Sequence, residues 1–421
     1  MTEELLASYV SEDQIVGQCI MKPETVFLAS EAGITPAWFA QRESEKAFTV
    51  LLDMYVSGLE ISLPTFLERC AEKKQNVPME YAQRAIDSTP VINIQGVIAK
   101  LKEYYMRREM ITRAKNLKNL ARVMDTPPEE SIGKEICDLA ELTSTHQRMT
   151  LEQIKKAIVD RYRAAAGGGT AGLPTPWPTL NKYTGGLTNQ QVTVFAGRGG
   201  VGKSMASATL VHHLGKSGVS VGYLPFEDGV ERTWARVAGI NGGYSTFKMD
   251  TSPRPDECSF AEQHLEIVMK FPIQMEDRPM TADQIMAWSI HQHVKNKIKL
   301  LVIDAFKDIK RMSRDVAEDD QMSQTITQIA RRLNIPVWIS HHVRKKEGDN
   351  RDVKLTNDDI RGSANIVNDC RQLILLQNWK ENDMMMFSFD LAKANNGPSG
   401  MSIPMERKSN MNTWIERNTN A

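Results

Sequence analysis

Val192 to Ser204 reads VTVFAGRGGVGKS. A short β-branched and apolar run (Val192, Val194, Phe195) enters a glycine-rich loop, Gly197-Arg198-Gly199-Gly200-Val201-Gly202. Lys203, Ser204 and an alanine-rich helical run follow. The pattern G-x-x-x-x-G-K-[ST] between a strand and a helix is that of a phosphate-binding loop. Its glycines let successive N–H groups turn inward toward phosphate oxygens, and the helix N-terminus adds partial positive charge. Lys203 is expected to reach the β- and γ-phosphates, and Ser204 to ligate Mg²⁺. The competing reading, a glycine-rich turn with an accidental Lys-Ser, is disfavoured by the strand–loop–helix context.

Outward from this loop, strand and helix patterns alternate, which predicts a mostly parallel sheet with helices on both faces. The first strand is Val192–Ala196 and its helix Ser204–Leu214. Val219–Phe226 is the next strand and ends in Glu227-Asp228. Leu300–Asp304 is an apolar strand ending in an acid, and Met322, Ile326, Ile329 and Leu333 mark a helix after it. Ile335–Ser340 is followed by His341-His342; Leu373–Leu376, Met385–Leu391 and Met401–Met405 read as later strands.

Upstream, residues 1–105 read as a small helical domain. Ser11 caps a helix through Ile20, and further helical patches lie at Ser44–Val56 and Leu63–Lys73. Glu12, Asp13 and Asp53 read as solvated charge there. A long helix from Val97 carries a stripe of Val97, Leu101, Tyr104, Ile111, Ala114, Leu117 and Ala121. Its other face is basic, with Lys102, Arg107, Arg108, Arg113, Lys115 and Lys118. Pro127-Pro128 breaks the run, and Leu151, Ile154, Ile158 and Tyr162 form a short amphipathic helix before a Gly-rich then Pro-rich linker. That helix, near 150–164, has too little chain around it to bury its stripe and is expected to dock on another surface. Residues 106–172 are thus a helical linker region and 173–421 the α/β domain.

The chain has 421 residues with 52 basic and 52 acidic side chains, so net charge argues neither for nor against nucleic acid. Its five cysteines are scattered without C-x-x-C spacing, which suggests neither a zinc module nor a disulfide framework and fits a reduced, cytoplasmic setting. No apolar run is long enough to span a bilayer.

Ligands of open parallel sheets sit at the carboxyl ends of strands, where the loop, Glu227, Asp304 and His341 converge. Asp304 is placed to contact hydrated Mg²⁺. Glu227 is the candidate general base, with Asp228 as its rival and a helix cap before Val230–Ile240 as the alternative for both. His341 is either a γ-phosphate contact or a structural histidine; His342 points to the opposite face if the strand continues. Two basic segments leave the same edge. One carries Lys307, Lys310, Arg311 and Arg314, the other Arg344, Lys345, Lys346, Arg351 and Lys354. Together they could track a nucleic-acid backbone.

These residues together resemble a known family, the DnaB-like replicative helicases, which are hexamers with a RecA-like motor. The resemblance covers nearly the whole chain. EDQIVGQCIMKPE and TPVINIQGVIAKLKEYYMRREMI are similar to the family's helical amino domain, a collar, and PTPWPTLNKYTGGLTNQQVTVFAGRGGVGKS to its lead-in and phosphate loop. YLPFED places Glu227 on the catalytic glutamate, and LLVIDAFKDI places Asp304 on the Mg²⁺-associated aspartate. Ser340-His341 and Asp359–Ser363 look like the phage primase–helicase and plasmid RepA-type branches, where the histidine senses the γ-phosphate. The usual Lys-x-Arg is here Lys393-Ala394-Asn395, so the arginine that reaches the next subunit is missing. By resemblance to the plasmid type Arg371 takes that place, with Arg361 second. The resemblance implies ATP and Mg²⁺ as cofactors, 5′→3′ movement on single-stranded DNA, unwinding at a replication fork, and separate primase and loader partners. Two alternatives stay open: a DNA-dependent ATPase that does not unwind, and a regulatory subunit that binds ATP only.

Overall fold

The structure, a computed structural model, describes residues 8–88, 94–122, 135, 151–167, 169–311, 316–343, 354–356, 359, 366–382, 384–394 and 397–417. Of the sites expected above, Arg314, Arg344, Lys345, Lys346, Arg351, Arg361 and Asn395 lie outside these. The chain divides into two compact units, residues 1–150 and 151–421.

The amino unit is helical: α1 (Tyr9–Met21), α2 (Glu24–Glu31), α3 (Arg42–Val56), α4 (Leu63–Glu72), α5 (Met79–Asp87) and α6 (Ile94–Leu120). Ile15, Val16, Phe48, Leu51, Met54 and Phe66 fill its core. Gly17 lets α1 and α5 close up, because a Cβ there would sit 2.0 Å from the Ala85 carbonyl oxygen.

Several expectations are corrected here. The first helix starts at Tyr9, not after Ser11, and Ser11 is buried with its hydroxyl 2.7 Å from that of Ser8. Glu12 and Asp13 are not solvated. Glu12 is fully buried and accepts the N–H groups of Ala40 and Gln41, both at 2.9 Å, just ahead of α3. Those donors precede a helix start and have no intrahelical acceptor, so a buried carboxylate completes them. Asp13 accepts from Arg84 at 3.0 Å, and Asp53 from Arg69 and Lys73. Along α6, Ile98 and Leu101 are buried, and Tyr105, rather than the half-exposed Tyr104, stacks on Trp38 at 5.3 Å. Arg108, on the basic face, donates to the Trp38 carbonyl at 2.5 Å.

The carboxy unit opens with the helix Leu151–Ala166, on which Leu151 and Tyr162 are exposed. A nine-stranded sheet follows, with β1 (Val192–Gly197), β2 (Val221–Leu224), β3 (Ile273–Met275), β4 (Leu300–Ile303), β5 (Val337–His342), β6 (Gln372–Glu381), β7 (Met384–Ala394), β8 (Met401–Lys408) and β9 (Thr413–Glu416). Its order is β3-β2-β4-β5-β1-β6-β7-β8-β9. The strands from β3 to β6 are parallel; β7, β8 and β9 add on antiparallel. Burial on both faces explains why β1, β2 and β4 read as apolar runs without alternation. β3 and β9, of three and four residues, are too short to show a period and were not expected from sequence. β5 runs on to His342, so both histidines are strand residues. Trp177, Phe195, Trp338, Phe389 and Trp414 form the aromatic centre of this core. Among the described residues no helix is long and apolar enough to cross a membrane.

Candidate nucleotide site

The loop after β1 turns through Gly200 (φ 73°) and Gly202 (φ 110°), both in the left-handed region that glycine alone enters readily. At Gly202 a Cβ would also press on the Trp414 ring at 3.1 Å. Trp414 Nε1 donates to the Gly202 carbonyl at 3.0 Å, so β9 braces the loop from below. The helix Lys203–Lys216 starts directly behind. A cavity of about 320 Å³ opens over the loop, lined in part by Lys203, Ser204, Glu227, Arg236, His342 and Arg407.

Lys203 is buried, and its ammonium donates to the carbonyls of Gly197 (3.2 Å) and Arg198 (3.0 Å). Burial lowers its pKa against the pull of Glu227 and Asp304. The ends of β2 and β4 are laced together: Asp304 N–H donates to Leu224 O and Glu227 N–H to Asp304 O. The Asp304–Ala305 peptide is cis. Asp304 is 2% exposed, and its Oδ2 accepts from the fully buried Tyr223 hydroxyl at 3.0 Å. Burial raises its carboxyl pKa, opposed by the nearby hydroxyls of Ser340, Ser204 and Tyr223. Its Oδ1 is buried with no hydrogen-bond partner among the described residues.

That open oxygen beside Ser204 fits a divalent cation. Among the described residues no group of three or more His, Cys, Asp or Glu could hold a metal. Mg²⁺ bound to a nucleotide needs only one or two protein oxygens, the rest being phosphate and water.

Glu227 accepts from His342 Nε2 at 3.2 Å through Oε2, and Lys307 Nζ lies 3.5 Å from Oε1. A carboxylate only accepts, so Nε2 of His342 carries the hydrogen. Burial pushes the Glu227 pKa up, but the His342 hydrogen bond and the charges of Lys307 and Lys203 outweigh it and hold the group below its usual value. Asp228 is tied instead to Arg236 at 2.6 Å. Neither acid caps the helix Val230–Gly242, since Val230 N–H donates to Asp277 at 2.8 Å.

The two histidines sit on opposite faces of β5, but in the sense opposite to the one expected. Trp338 Nε1 donates to Ser207 Oγ at 3.1 Å, and Ser340 Oγ lies 3.0 Å from it. Side chains at 338, 340 and 342 therefore face the phosphate-loop helix. His342 lines the cavity, whereas the structure does not bring His341 into it. His341 is buried against Phe306, with ring centroids 5.5 Å apart. It donates from Nδ1 to the His342 carbonyl at 2.7 Å. Burial lowers its pKa to about 4.

Of the basic segment after β4, Arg311 pairs with Asp319 at 3.0 Å, and Lys310 is exposed. Lys354 stands over the Trp379 ring at 4.7 Å. Arg371 and Lys393 lie at the far end of the sheet from the loop. Arg371 N–H bonds Val192 O at the start of β1, and Lys393 is paired with Leu373 and donates to Asn368 O at 2.8 Å. β1 has six residues, so its ends are roughly 17 Å apart at the usual strand rise. Tyr223, Arg236, His342, Arg407 and Trp414 were not expected at this site. No motif carries them, and the only sequence signal was for Tyr223, at an inward position of a strand ending in the candidate base.

The sheet order and this loop define a nucleotide-binding ATPase domain of the RecA-like type. The family described as DnaB-like helicase C terminal domain matches residues 172–414, and the chain belongs to that family. It is similar to the replicative DNA helicase DnaC of Bacillus subtilis, 20% identical over 429 residues that cover 97% of this chain and 94% of the relative. It is also 20% identical to the replicative DNA helicase DnaB of Geobacillus stearothermophilus, over 93% of this chain and 91% of that one. Among solved structures, a DnaB-like replicative helicase described with its interactions with primase superposes with a TM-score of 0.66 at 16% identity. That match covers 97% of this chain and 99% of the other, and it shows a shared fold.

Proposed function

We propose that the chain is an ATP-driven DNA helicase that works as a hexameric ring, moves 5′→3′ on single-stranded DNA and separates duplex at a replication fork. The observation that carries this reading is the split of charged groups between the two ends of one sheet. Lys203, Glu227 and Asp304 meet at one end, and Arg371 and Lys393 lie at the other. Arg371 and Lys393 are too far along the sheet to serve the nucleotide of their own chain. They suit the nucleotide of a neighbour, where Arg371 would stabilise charge developing in phosphoryl transfer.

In this mechanism Lys203 leaves its loop carbonyls for the β- and γ-phosphates. Ser204 and Asp304 would hold Mg²⁺, which would supply positive charge against the phosphates. Glu227 orients water and accepts its proton. His342, on Glu227, stands where a γ-phosphate contact is needed; His341 supports it from behind. Lys307, Lys310, Arg311 and the Arg344–Lys346 segment contact DNA phosphates. The helix Leu151–Ala166 docks on an adjacent motor through Leu151 and Tyr162. The amino unit is the collar that meets a separate primase and loader.

The test is separation of a forked duplex with ATP and Mg²⁺, run beside Lys203→Ala. Separation by the parent and not by the variant supports the reading. Hydrolysis stimulated by DNA without separation selects a DNA-dependent ATPase instead, and intact rings without hydrolysis a regulatory subunit.

A further inference from the structure

The Glu227 carboxylate is held at both oxygens, by a residue of the first basic segment and by the last residue of β5, just ahead of the second. Lys307 opens the segment 307–314 and lies 3.5 Å from Oε1; His342, two residues before Arg344, binds Oε2 at 3.2 Å. A general base must keep a lone pair for the proton it takes. An ammonium 3.5 Å from Oε1 makes that oxygen a weaker base and crowds the position from which a water would donate to it.

We propose that Lys307 is a stopper on Glu227 Oε1 that single-stranded DNA withdraws, while His342 keeps the carboxylate aimed through Oε2. The proposal rests on the helicase reading above. Two features favour withdrawal of Lys307 over a fixed structural pair. Lys307 is 45% exposed and already shares its ammonium with Asp308 at 3.0 Å, so it leaves Glu227 by a small swing on weak surface pairs. Beside it lies a second cavity of about 300 Å³, bounded by Phe306, Lys307, Arg311, Asp319 and both histidines. A backbone phosphate entering there meets the Lys307 ammonium directly and competes with Glu227 for it. Once Oε1 is clear, a water oxygen bonds to the γ-phosphorus, the bond from that phosphorus to the β–γ bridging oxygen breaks, and the water proton passes to Oε1. Hydrolysis then waits for DNA because the base is blocked, not because the nucleotide is absent.

The experiment measures steady-state ATP turnover with and without oligodeoxythymidine for the parent, Lys307→Met, Lys307→Arg and Lys307→Met with Glu227→Gln. DNA affinity is read separately by fluorescence anisotropy. Lys307→Met is expected to raise DNA-free turnover about three- to fivefold, the rate equivalent of one exposed ion pair. Lys307→Arg, which keeps a cation, restores most of the suppression. Glu227→Gln abolishes the gain. DNA-free turnover of Lys307→Met at or below the parent's, with weaker DNA binding, overturns the proposal and leaves Lys307 as a DNA ligand only. A parent that hydrolyses no ATP with any DNA overturns the helicase reading itself, and circular dichroism of each variant identifies a failure to fold.

Discussion

Glu12 in the amino unit and Asp304 in the motor are both buried carboxylates, and they differ in one oxygen. Glu12 has each oxygen filled by a backbone N–H, from Ala40 and from Gln41. Asp304 has one oxygen on Tyr223 and the other without a partner among the described residues. A buried acid whose bonds are complete holds a fold together, because removing it strands the donors it satisfied. A buried acid with an open oxygen costs stability on its own and is kept where something arrives to fill it. Burial alone does not separate the two.

The largest effect expected from this contrast is on turnover. Asp304→Asn keeps the shape and is expected to lower ATP turnover about 10³-fold, roughly 4 kcal/mol, while thermal unfolding of the motor stays put or shifts upward. A drop in both would place Asp304 with Glu12 as a structural acid. Glu12→Ala is expected to do the reverse. It leaves two donors unfilled at the start of α3 and destabilises the amino unit by about 3 kcal/mol, seen as a lower midpoint for that unit, with turnover per folded motor unchanged.

Acid separates the two units in a third way. The depressed pKa of His341, about 4, means its contribution is fully present above pH 6.5 and is lost as pH falls toward 4, about 2 kcal/mol by pH 5. Glu12 is raised by burial, against the hydrogen bonds of Ala40 and Gln41, so its contribution is fully present below pH 4.5 and is lost as pH rises through its folded value. Between pH 7 and 5 the motor transition is expected to fall while the amino transition does not, and His341→Gln should flatten the motor's response; calorimetry across that range checks both. The smallest effect is expected from Tyr223→Phe, which frees the second oxygen of Asp304. Loss of that orienting bond should weaken binding of a fluorescent ADP about tenfold in Mg²⁺ and leave binding in EDTA unchanged. Equal loss in both would mean that Tyr223 only fills space.

The phosphate loop and the acids at the ends of β2 and β4 were legible because the chemistry needs adjacent residues in a set order. Lys203, Ser204, Glu227 and Asp304 therefore stand out in the sequence alone. Tyr223, Arg236 and Trp414 do not, because their relation to the loop exists only once β2, the helix after it and β9, which lie in different parts of the sheet's order, have packed around the loop and its helix. That His342 rather than His341 lines the cavity is not legible in the sequence, for a smaller reason. β5 runs two residues further than its apolar stretch, and the face of a strand residue depends on where its neighbours pack. Glu12 was read as surface because an acid in the first turn of a helix commonly is, and nothing local announces two backbone donors 28 and 29 residues later. β3 is silent in the sequence because three residues carry no period.

Trp414 lies against Gly202 and donates to its carbonyl, yet the two are 212 residues apart in sequence. On a growing chain the loop is made early and its brace late. At a synthesis rate of 5–20 residues per second the interval is roughly 10–40 s. Through that interval the motor's most glycine-rich segment has no wall beneath it. A nascent chain should therefore capture nucleotide only after β9 has left the ribosome, and stalling synthesis before Trp414 should yield complexes that retain no ATP.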